Sequence, residues 1–249
     1  MQFGKNIIKF ERLDSTNKKA KELNKEREIP EGSIVICYEQ FAGRGYGNNT
    51  WESAAGMNIS ATWILKPNFL KAEQQFAITK AISIAVSETV KFFYFGELPV
   101  TIKWPNDIYI DDKKIAGILL ENNIRGNDIR DCFAGIGLNV NQVVFHSDAP
   151  NPVSLKMLLE KDINLDYCLQ ILSENIQIKY KKLRESGPDA LNTEYLNLLF
   201  RLEEPSEFIS NGKKFAGIIM GTDNYGRLEV RLKTGEKKLF DFKEITFII

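Results

Sequence analysis

The segment 133–140 constrains the fold of this chain most, because apolar residues alternate there with residues that have almost no side chain. Successive side chains of a β-strand point to opposite faces of the sheet. One face of the predicted strand carries Ala134, Ile136, Leu138 and Val140. The opposite face carries Phe133, Gly135, Gly137 and Asn139. Nearly bare backbone on that face admits a bound ligand, but a bulge or a closely packed helix explains the glycines equally well.

Gly117 repeats this feature in a second predicted strand, where glycine weakens strand pairing unless another group approaches the backbone closely. Lys103 ends one strand of the same group and Lys114 begins another. Both lysines could border the bare face and bind phosphate or carboxylate. Lysines beside turns are usually solvated, so a surface position is the alternative for each of them.

Two aspartates in turns, Asp107 and Asp112, are candidate ligands for Mg²⁺, which prefers carboxylate oxygen together with substrate phosphates. Aspartate is also common in turns for local hydrogen bonding, and this alternative is stronger for Asp112. The segment 41–50 has glycine at alternate positions but lacks the spacing of a P-loop or a dinucleotide-binding motif. Arg44 in this segment offers a two-point fork for phosphate or carboxylate. We expect the segment to be mobile without ligand and to close over one.

Hydrophobic periodicity predicts an α+β fold in which helices pack on a mixed, largely antiparallel sheet. We predict a short first helix capped by Ser15 or Thr16, and two longer helices over 72–93 and 165–183. The predicted strands of the main domain cover 34–38, 58–65, 100–103, 108–110, 115–121 and 133–141. After residue 203 the pattern changes to short strands separated by hairpin turns, at 207–210, 213–222, 228–232 and 237–240. We therefore predict a main domain at 1–200 and a small C-terminal β-barrel at 201–249.

The composition excludes several classes of function. Lys and Arg total 33, as do Asp and Glu, so no overall field favours nucleic acid or an anionic membrane. The three cysteines are far apart and the one histidine has no partner at a metal-ligand spacing, so we expect no zinc site. Residues 1–10 lack the pattern of a signal peptide, and no apolar run reaches the length of a membrane span, so we expect a soluble cytoplasmic protein.

Several short motifs, taken in order, resemble those of the biotin protein ligase family, also called biotin acetyl-CoA-carboxylase ligase. They are Asp14-Ser-Thr-Asn17, Gly43-Arg-Gly45 leading to Trp51, Lys103-Trp-Pro-Asn-Asp107, Lys114-Ile-Ala-Gly-Ile-Leu-Leu-Glu121 and Gly135-Ile-Gly-Leu-Asn-Val140. Their order and spacing extend over nearly the whole chain, and Lys-Trp-Pro-Asn-Asp is the most specific of them. The resemblance implies a class II synthetase-like catalytic domain with an SH3-like C-terminal barrel.

The resemblance also implies the reaction and its residues. ATP and biotin, with Mg²⁺, would give biotinyl-5′-AMP, and biotin would then pass to a lysine of a biotin carboxyl carrier protein. The implied catalytic groups are Lys114, which would hold the biotin carboxylate, Arg44 and Lys103. The implied biotin-binding residues are Ser15, Thr16, Asn17, Gln40, Gly43, Arg44, Lys114, Gly117, Leu119 and Gly135. The implied adenylate-binding residues are Arg44, Trp51, Lys103, Asn106 and Asn139, and the implied Mg²⁺ ligand is Asp107.

The sequence departs from the family pattern at Tyr46 and Gly47, where relatives often have a basic or amide residue and a second cation. This departure bears on how tightly the loop retains the adenylate. Some relatives carry an N-terminal DNA-binding winged helix, but the first motif here begins at Asp14, so we expect none and no binding to nucleic acid.

Two other functions remain open, and so does a homodimer. One is a lipoate ligase with the same adenylate chemistry. The Lys-Trp-Pro-Asn-Asp stretch argues for biotin rather than lipoate. The other is a non-catalytic biotin-binding regulator, which would need the pocket but not the cations Arg44, Lys103 and Lys114.

Overall fold

The structure is a computed structural model that describes residues 3–45, 47, 49–146 and 151–249. Its strands are β1 (Ile7–Leu13), β2 (Ser33–Gln40), β3 (Gly43–Arg44), β4 (Thr50–Trp51), β5 (Ile59–Leu65), β6 (Val100–Lys103), β7 (Asp107–Ile110), β8 (Lys113–Arg125), β9 (Asp128–Leu138), β10 (Pro205–Ser210), β11 (Lys213–Thr222), β12 (Leu228–Leu232), β13 (Lys237–Phe240) and β14 (Thr246–Phe247). Its helices are α1 (Thr16–Glu26), α2 (Phe76–Phe93), α3 (Leu155–Leu159), α4 (Leu165–Ser186) and α5 (Asn192–Leu196). A 3₁₀ turn, Ala72–Gln74, precedes α2. Tyr46, one of the two departures from the family pattern, lies outside the described residues.

A seven-stranded sheet forms the centre of the molecule, in the order β1-β2-β5-β9-β8-β7-β6. β1 runs parallel to β2, and the other neighbouring strands are antiparallel. The predicted meander of β6, β7 and β8, with β9 beside it, is therefore confirmed. The longest pairing joins β8 to β9 and extends from Ala116 opposite Leu138 to Arg125 opposite Asp128.

Helices pack on both faces of this sheet, and the alternation of side chains along each strand decides which helix a residue meets. On one face Val35 and Phe133 form a small buried cluster with Ala20 of α1. On the other face Trp63 and Ile136 join α2 and α4 in the main hydrophobic core. The predicted division of β9 into two different faces is thus confirmed.

A five-stranded antiparallel sheet, in the order β13-β12-β11-β10-β14, forms the C-terminal part and is compatible with the predicted SH3-like barrel. Trp104 joins it to the central sheet, because its indole Nε1 donates a hydrogen bond to the carbonyl oxygen of Gly226 at 2.8 Å. The Trp104 ring also packs on Phe242, with ring centroids 5.2 Å apart. The buried core is continuous across this junction and includes Phe208 and Ile219. A domain boundary near residue 200 stays a prediction.

The structure confirms the α+β fold and the predicted strands and long helices, with bounds that shift by a few residues. The sequence did not predict β1, an exposed edge strand in which charged residues interrupt the apolar ones. It also did not predict α3 and α5, which are too short to show helical periodicity. Among the described residues, no helix combines the length and the apolar character needed to span a bilayer.

The packing of α4 can be tested with two isoleucines on the same helix. Ile176 is fully buried, and Ile176→Ala should lower the free energy of unfolding by about 2–5 kcal/mol because it leaves a cavity in the core. Ile178 is 56% exposed, and Ile178→Ala should change the same quantity by less than about 1 kcal/mol. Equilibrium urea unfolding measures both variants, and equal losses would contradict the orientation of α4.

Candidate active site

The start of α1 places three consecutive polar side chains over the central sheet. The hydroxyl of Ser15 caps the helix and accepts a hydrogen bond from the backbone amide of Lys18 at 3.5 Å, satisfying an N–H group that has no partner within the helix. Thr16 and Asn17 are buried beneath it. Gln40, at the end of β2, accepts a hydrogen bond through Oε1 from the backbone amide of Thr16 at 3.0 Å. Predicted residues that are distant in the sequence therefore meet here.

Asn17 is bound to the sheet through both ends of its side-chain amide. Its Oδ1 accepts a hydrogen bond from the hydroxyl of Thr62 at 2.6 Å. Its Nδ2 donates to the carbonyl oxygen of Leu119 at 3.2 Å and to Oε2 of Glu121 at 2.8 Å. Glu121 also forms an ion pair with Lys21. The sequence assigned no role to Thr62 or Glu121, although the two hydroxyl residues of the mainly apolar strand β5, Ser60 and Thr62, were a signal for the former.

Gly117 of β8 and Gly137 of β9 lie directly opposite each other and form a patch of bare backbone. The indole of Trp51 covers this patch. A Cβ added at Gly137 would lie 2.2 Å from Trp51 Cε2, and one at Gly117 would lie 3.1 Å from Trp51 Cζ3. A Cβ at Gly135 would lie 2.3 Å from Oδ1 of Asn17. The predicted close approach is confirmed, and the approaching groups are this chain's own tryptophan and helix α1.

A β-bulge in β8 sets the direction of Lys114. The register of β7 with β8 shifts between Ile108 and Tyr109, which leaves Ile115 without an opposite residue. In a regular strand, Lys114 and Gly117 would point to opposite faces because they are three residues apart. The bulge brings them to one face, and Lys114 Cε lies 3.5 Å from the Cβ position of Gly117.

Lys114 forms an ion pair with Asp107, whose Oδ2 lies 2.8 Å from Nζ, and the two side chains are only 20% and 24% exposed. Asp107 stands opposite Gly117, so its carboxylate projects from the same face. The Lys114 Nζ also lies 5.7 Å from the centroid of a Trp51 ring. Arg44, exposed on β3, adds a second cation to the lining of the same cavity. A bound anion could therefore replace the internal partner of Lys114.

The glycine-rich segment forms a short hairpin in which Gly43–Arg44 pairs with Thr50–Trp51. Beyond this pair the backbone amide of Gly45 donates to the carbonyl oxygen of Asn49 at 2.7 Å. Gly47 has a φ of 67°, a value that favours glycine. The hairpin carries Trp51 over the bare patch and holds Arg44 beside it. Closure of this segment over a ligand stays a prediction.

One cavity between α1, the hairpin and the sheet collects most of the predicted residues. The predicted residues that line it are Ser15, Thr16, Asn17, Gln40, Arg44, Trp51, Asn106, Asp107, Lys114, Gly117, Leu119 and Gly135. Ser60 also lines it and was not predicted. The Ser60 hydroxyl and the Trp51 indole Nε1 are buried without a hydrogen-bond partner in the part of the chain that the structure describes. Polar atoms of this kind are groups that a bound molecule can satisfy.

Lys103 lies beside the cavity rather than in its lining. Its Nζ lies 5.2 Å from the ring centroid of Tyr109 and 5.1 Å from that of Phe247, a residue of the C-terminal sheet. Burial lowers the pKa of Lys103, and the nearby carboxylate of Asp107 partly opposes this shift. The structure thus places the predicted cation at the contact between the two sheets.

Asn106, Asn139 and Gly43 make their contacts mainly with backbone groups. Asn106 lines the cavity, and its Nδ2 donates to the carbonyl oxygen of Ile118. Asn139 Nδ2 donates to the carbonyl oxygen of Val153 at 3.1 Å, while its Oδ1 is buried and finds no partner among the described residues. Gly43 is buried within the hairpin, opposite Trp51. Neither Asn139 nor Gly43 belongs to the cavity lining that the described residues form.

Comparison with known proteins gives consistent matches. A model of the biotin/lipoate A/B protein ligase family matches residues 9–139. The bifunctional ligase/repressor BirA of Bacillus subtilis is 27% identical over 242 residues, which cover 95% of this chain and 73% of that protein. The biotin–[acetyl-CoA-carboxylase] ligase of Paracoccus denitrificans is 28% identical over 232 residues, which cover 91% of this chain and 94% of that protein.

Solved structures share the fold. The biotin protein ligase from Aquifex aeolicus, in complex with biotin and ATP, superposes with a TM-score of 0.79 at 24% identity and covers 97% of this chain and 98% of its own. The biotin protein ligase from Leishmania major, in complex with biotinyl-5-AMP, superposes with a TM-score of 0.64 at 21% identity and covers 96% of this chain and 99% of its own. At these identities the likeness concerns the fold.

The contact between Trp51 and the bare patch can be tested by adding single methyl groups. Gly137→Ala should lower the free energy of unfolding by about 1–3 kcal/mol because its Cβ would overlap the indole. Gly117→Ala should lower the free energy of unfolding by less, because the nearest ring atom would be 3.1 Å from its Cβ. When Trp51→Ala is also present, Gly137→Ala and Gly117→Ala should have nearly the same free energy of unfolding. Urea unfolding measures all four proteins, and a difference that persists without the indole would refute this contact.

Proposed function

Because the chain belongs to the biotin/lipoate A/B protein ligase family, we propose that it is a biotin protein ligase that forms biotinyl-5′-AMP from biotin and ATP and then biotinylates a carrier protein. One observation carries the proposal. A single cavity combines neutral hydroxyl and amide groups around Gly135 with the charged side chains of Arg44, Asp107 and Lys114 around Gly117. The names of the relatives, which include biotin ligases from bacteria and from Homo sapiens, support the same activity.

The ureido ring and the carboxylate of biotin need different surroundings, and the cavity has a suitable part for each. The neutral ureido ring suits the part of the cavity lined by Ser15, Thr16 and Gln40, where hydrogen bonds are made without a buried charge. The carboxylate suits Lys114, which the bulge in β8 turns toward the cavity. Gly117 and Gly135 line the floor between these two parts, where Trp51 and Asn17 approach the bare backbone and cover the path of the ligand body.

The first step joins two anions, because an oxygen of the biotin carboxylate attacks the α-phosphorus of ATP and pyrophosphate leaves with the electrons of the broken bond. Repulsion between these anions opposes their approach. Lys114 holds the carboxylate and Arg44 neutralises the phosphates, and a fixed cation stabilises the charge that develops in the transition state. Lys103 supports the same charge from its position between Tyr109 and Phe247, close to Asp107.

We further propose that Asp107, with the amide of Asn106 beside it, holds Mg²⁺. A single carboxylate in a partly exposed position fits the usual mode of Mg²⁺ binding, in which one or two carboxylates act together with substrate phosphates. The ion would supply positive charge to the triphosphate. Because Asp107 pairs with Lys114 in the structure, its carboxylate would exchange one cationic partner for another when ligands bind.

The adenylate is an anhydride that must be shielded from water until an amine attacks it. Trp51 covers the middle of the cavity floor and is the side chain best placed to cover the intermediate. In the second step a neutral lysine amine of a carrier protein attacks the biotinyl carbonyl carbon and AMP leaves. The specific partner is a biotin carboxyl carrier protein or the carrier domain of a biotin-dependent carboxylase. For Asn139, contact with the adenylate stays a prediction.

The test is exchange of labelled pyrophosphate into ATP by the purified chain. Exchange that depends on biotin shows adenylate formation, because only the reversal of that step returns pyrophosphate to ATP. Exchange with lipoate instead of biotin would assign the chain to the lipoate-specific part of the family. Biotin binding without exchange would identify a non-catalytic regulator, and transfer to a carrier domain completes the assay.

Lys114 and its neighbour Lys113 provide a matched pair of variants. Lys114→Ala should lower the single-turnover rate of adenylate formation by about a hundredfold or more, because it removes the cation that holds the reacting carboxylate. Lys113 is exposed, and Lys113→Ala should leave this rate within about twofold of wild type. Rapid quench at saturating biotin measures the rate, and urea unfolding shows that both variants fold. A near-normal rate for Lys114→Ala would contradict its assigned role.

A further inference from the structure

A chain of hydrogen bonds, buried at Thr62 and partly buried at Glu121, runs from Glu121 to Thr16 at the neutral end of the cavity. Thr62 occupies its centre and is fully buried. Its Oγ1 lies 2.6 Å from Oδ1 of Asn17 and 2.9 Å from Oγ1 of Thr16. A hydroxyl has one hydrogen to donate, so it can donate to one of these two oxygens but not to both. The direction of every bond in the chain therefore depends on the orientation of the Asn17 amide.

The partners of Asn17 fix that orientation. Its Nδ2 faces the carbonyl oxygen of Leu119 and the carboxylate of Glu121, and both of these groups only accept hydrogen bonds. The amide oxygen must then face Thr62. Because this oxygen accepts only, the Thr62 hydroxyl has to donate to it, and the contact at 2.9 Å is a hydrogen bond only if Thr16 donates to Thr62. The ion pair between Glu121 and Lys21 holds the far end of the chain.

Thr16 consequently turns its hydrogen away from the cavity. The competing acceptor, Oε1 of Gln40, lies farther away, at 3.3 Å from Thr16 Oγ1, and already accepts the backbone amide of Thr16 at 3.0 Å. With its hydrogen directed at Thr62, the Thr16 oxygen presents a lone pair to the cavity that Thr16 lines. Such an oxygen accepts hydrogen bonds and cannot donate one to a ligand.

We propose that Thr62 is a positioning residue for substrate selection, because it fixes Thr16 as a hydrogen-bond acceptor for an N–H group of the ligand. This inference rests on the proposed function. The ureido ring of biotin carries N–H donors, whereas the dithiolane ring of lipoate has none. The Ser60 hydroxyl lines the same cavity without a partner among the described residues, which independently indicates that a polar ligand group belongs there.

Removal of the Thr62 hydroxyl should reverse this polarity. In Thr62→Val the Thr16 hydroxyl loses its acceptor in the sheet, so its hydrogen is free to turn into the cavity, where it opposes a ligand N–H. Thr62→Ser retains the hydroxyl and should retain the wild-type behaviour. Thr101→Val is the matched control for the same chemical change, because the Thr101 hydroxyl lies on β6 and makes no hydrogen bond within the described part of the chain.

The experiment measures binding by calorimetry and steady-state pyrophosphate exchange in the full chain. For Thr62→Val we expect the Kd and KM for biotin to rise about tenfold, as for the loss of one hydrogen bond. The kcat at saturating biotin and the KM for ATP should stay within about twofold of wild type, which a general loss of structure would not produce. Thr62→Ser and Thr101→Val should bind biotin like the wild type.

A second probe tests the polarity itself. Biotin methylated at the ureido nitrogen that faces Thr16 lacks the donor, so it should bind the wild type more weakly and lose no further affinity in Thr62→Val. Methylating each of the two ureido nitrogens in turn identifies the one that faces Thr16. Wild-type affinity of Thr62→Val for biotin would overturn the role of Thr62 and leave the proposed function intact. Failure of the wild type to bind biotin or to catalyse exchange would overturn both.

Discussion

The site depends on the close approach of Trp51 to bare backbone in the central sheet. Gly117 and Gly137 are cross-strand partners, so both strands lack a side chain at the same level of the sheet. A larger residue at position 137 would occupy the volume of the indole. The hairpin that carries Trp51 and Arg44 can lie over the sheet because these two strands leave that space. A packing requirement thus links the glycine-rich segment to the core of the molecule.

Charge is distributed unevenly along the cavity that results. Around Gly135 the polar groups are hydroxyls and amides, which bind a neutral ring without the cost of burying an ion. Around Gly117 the ions Asp107 and Lys114 are partly buried, which strengthens the attraction of Lys114 for a bound anion relative to water. A ligand with a neutral polar head and an anionic tail matches this division, and biotin has both. The buried chain through Thr62 gives the neutral part its hydrogen-bond polarity.

Much of the fold could be predicted from local patterns. The alternation in β9 identified its two faces, and helical periodicity located α2 and α4, because a long buried face repeats the same signal many times. Turn residues located the hairpins of the C-terminal sheet. β1 escaped prediction because an edge strand buries little of its surface and tolerates charge. The contact of Trp104 with Gly226 escaped it because the two residues are distant in the sequence.

The sequence by itself determined which residue types the site contains, because glycines, lysines and hydroxyl residues at motif spacing can be recognised without knowing the fold. Tertiary structure alone decided their directions. Regular alternation would turn Lys114 away from Gly117, and one unpaired residue, Ile115, reverses this. Likewise, Lys103 points toward Phe247, and Thr62 meets Asn17, because strands and helices far apart in the chain pack together. Local patterns determine whether a segment is a helix or a strand, whereas bulges and long-range contacts determine the direction and the neighbours of each side chain.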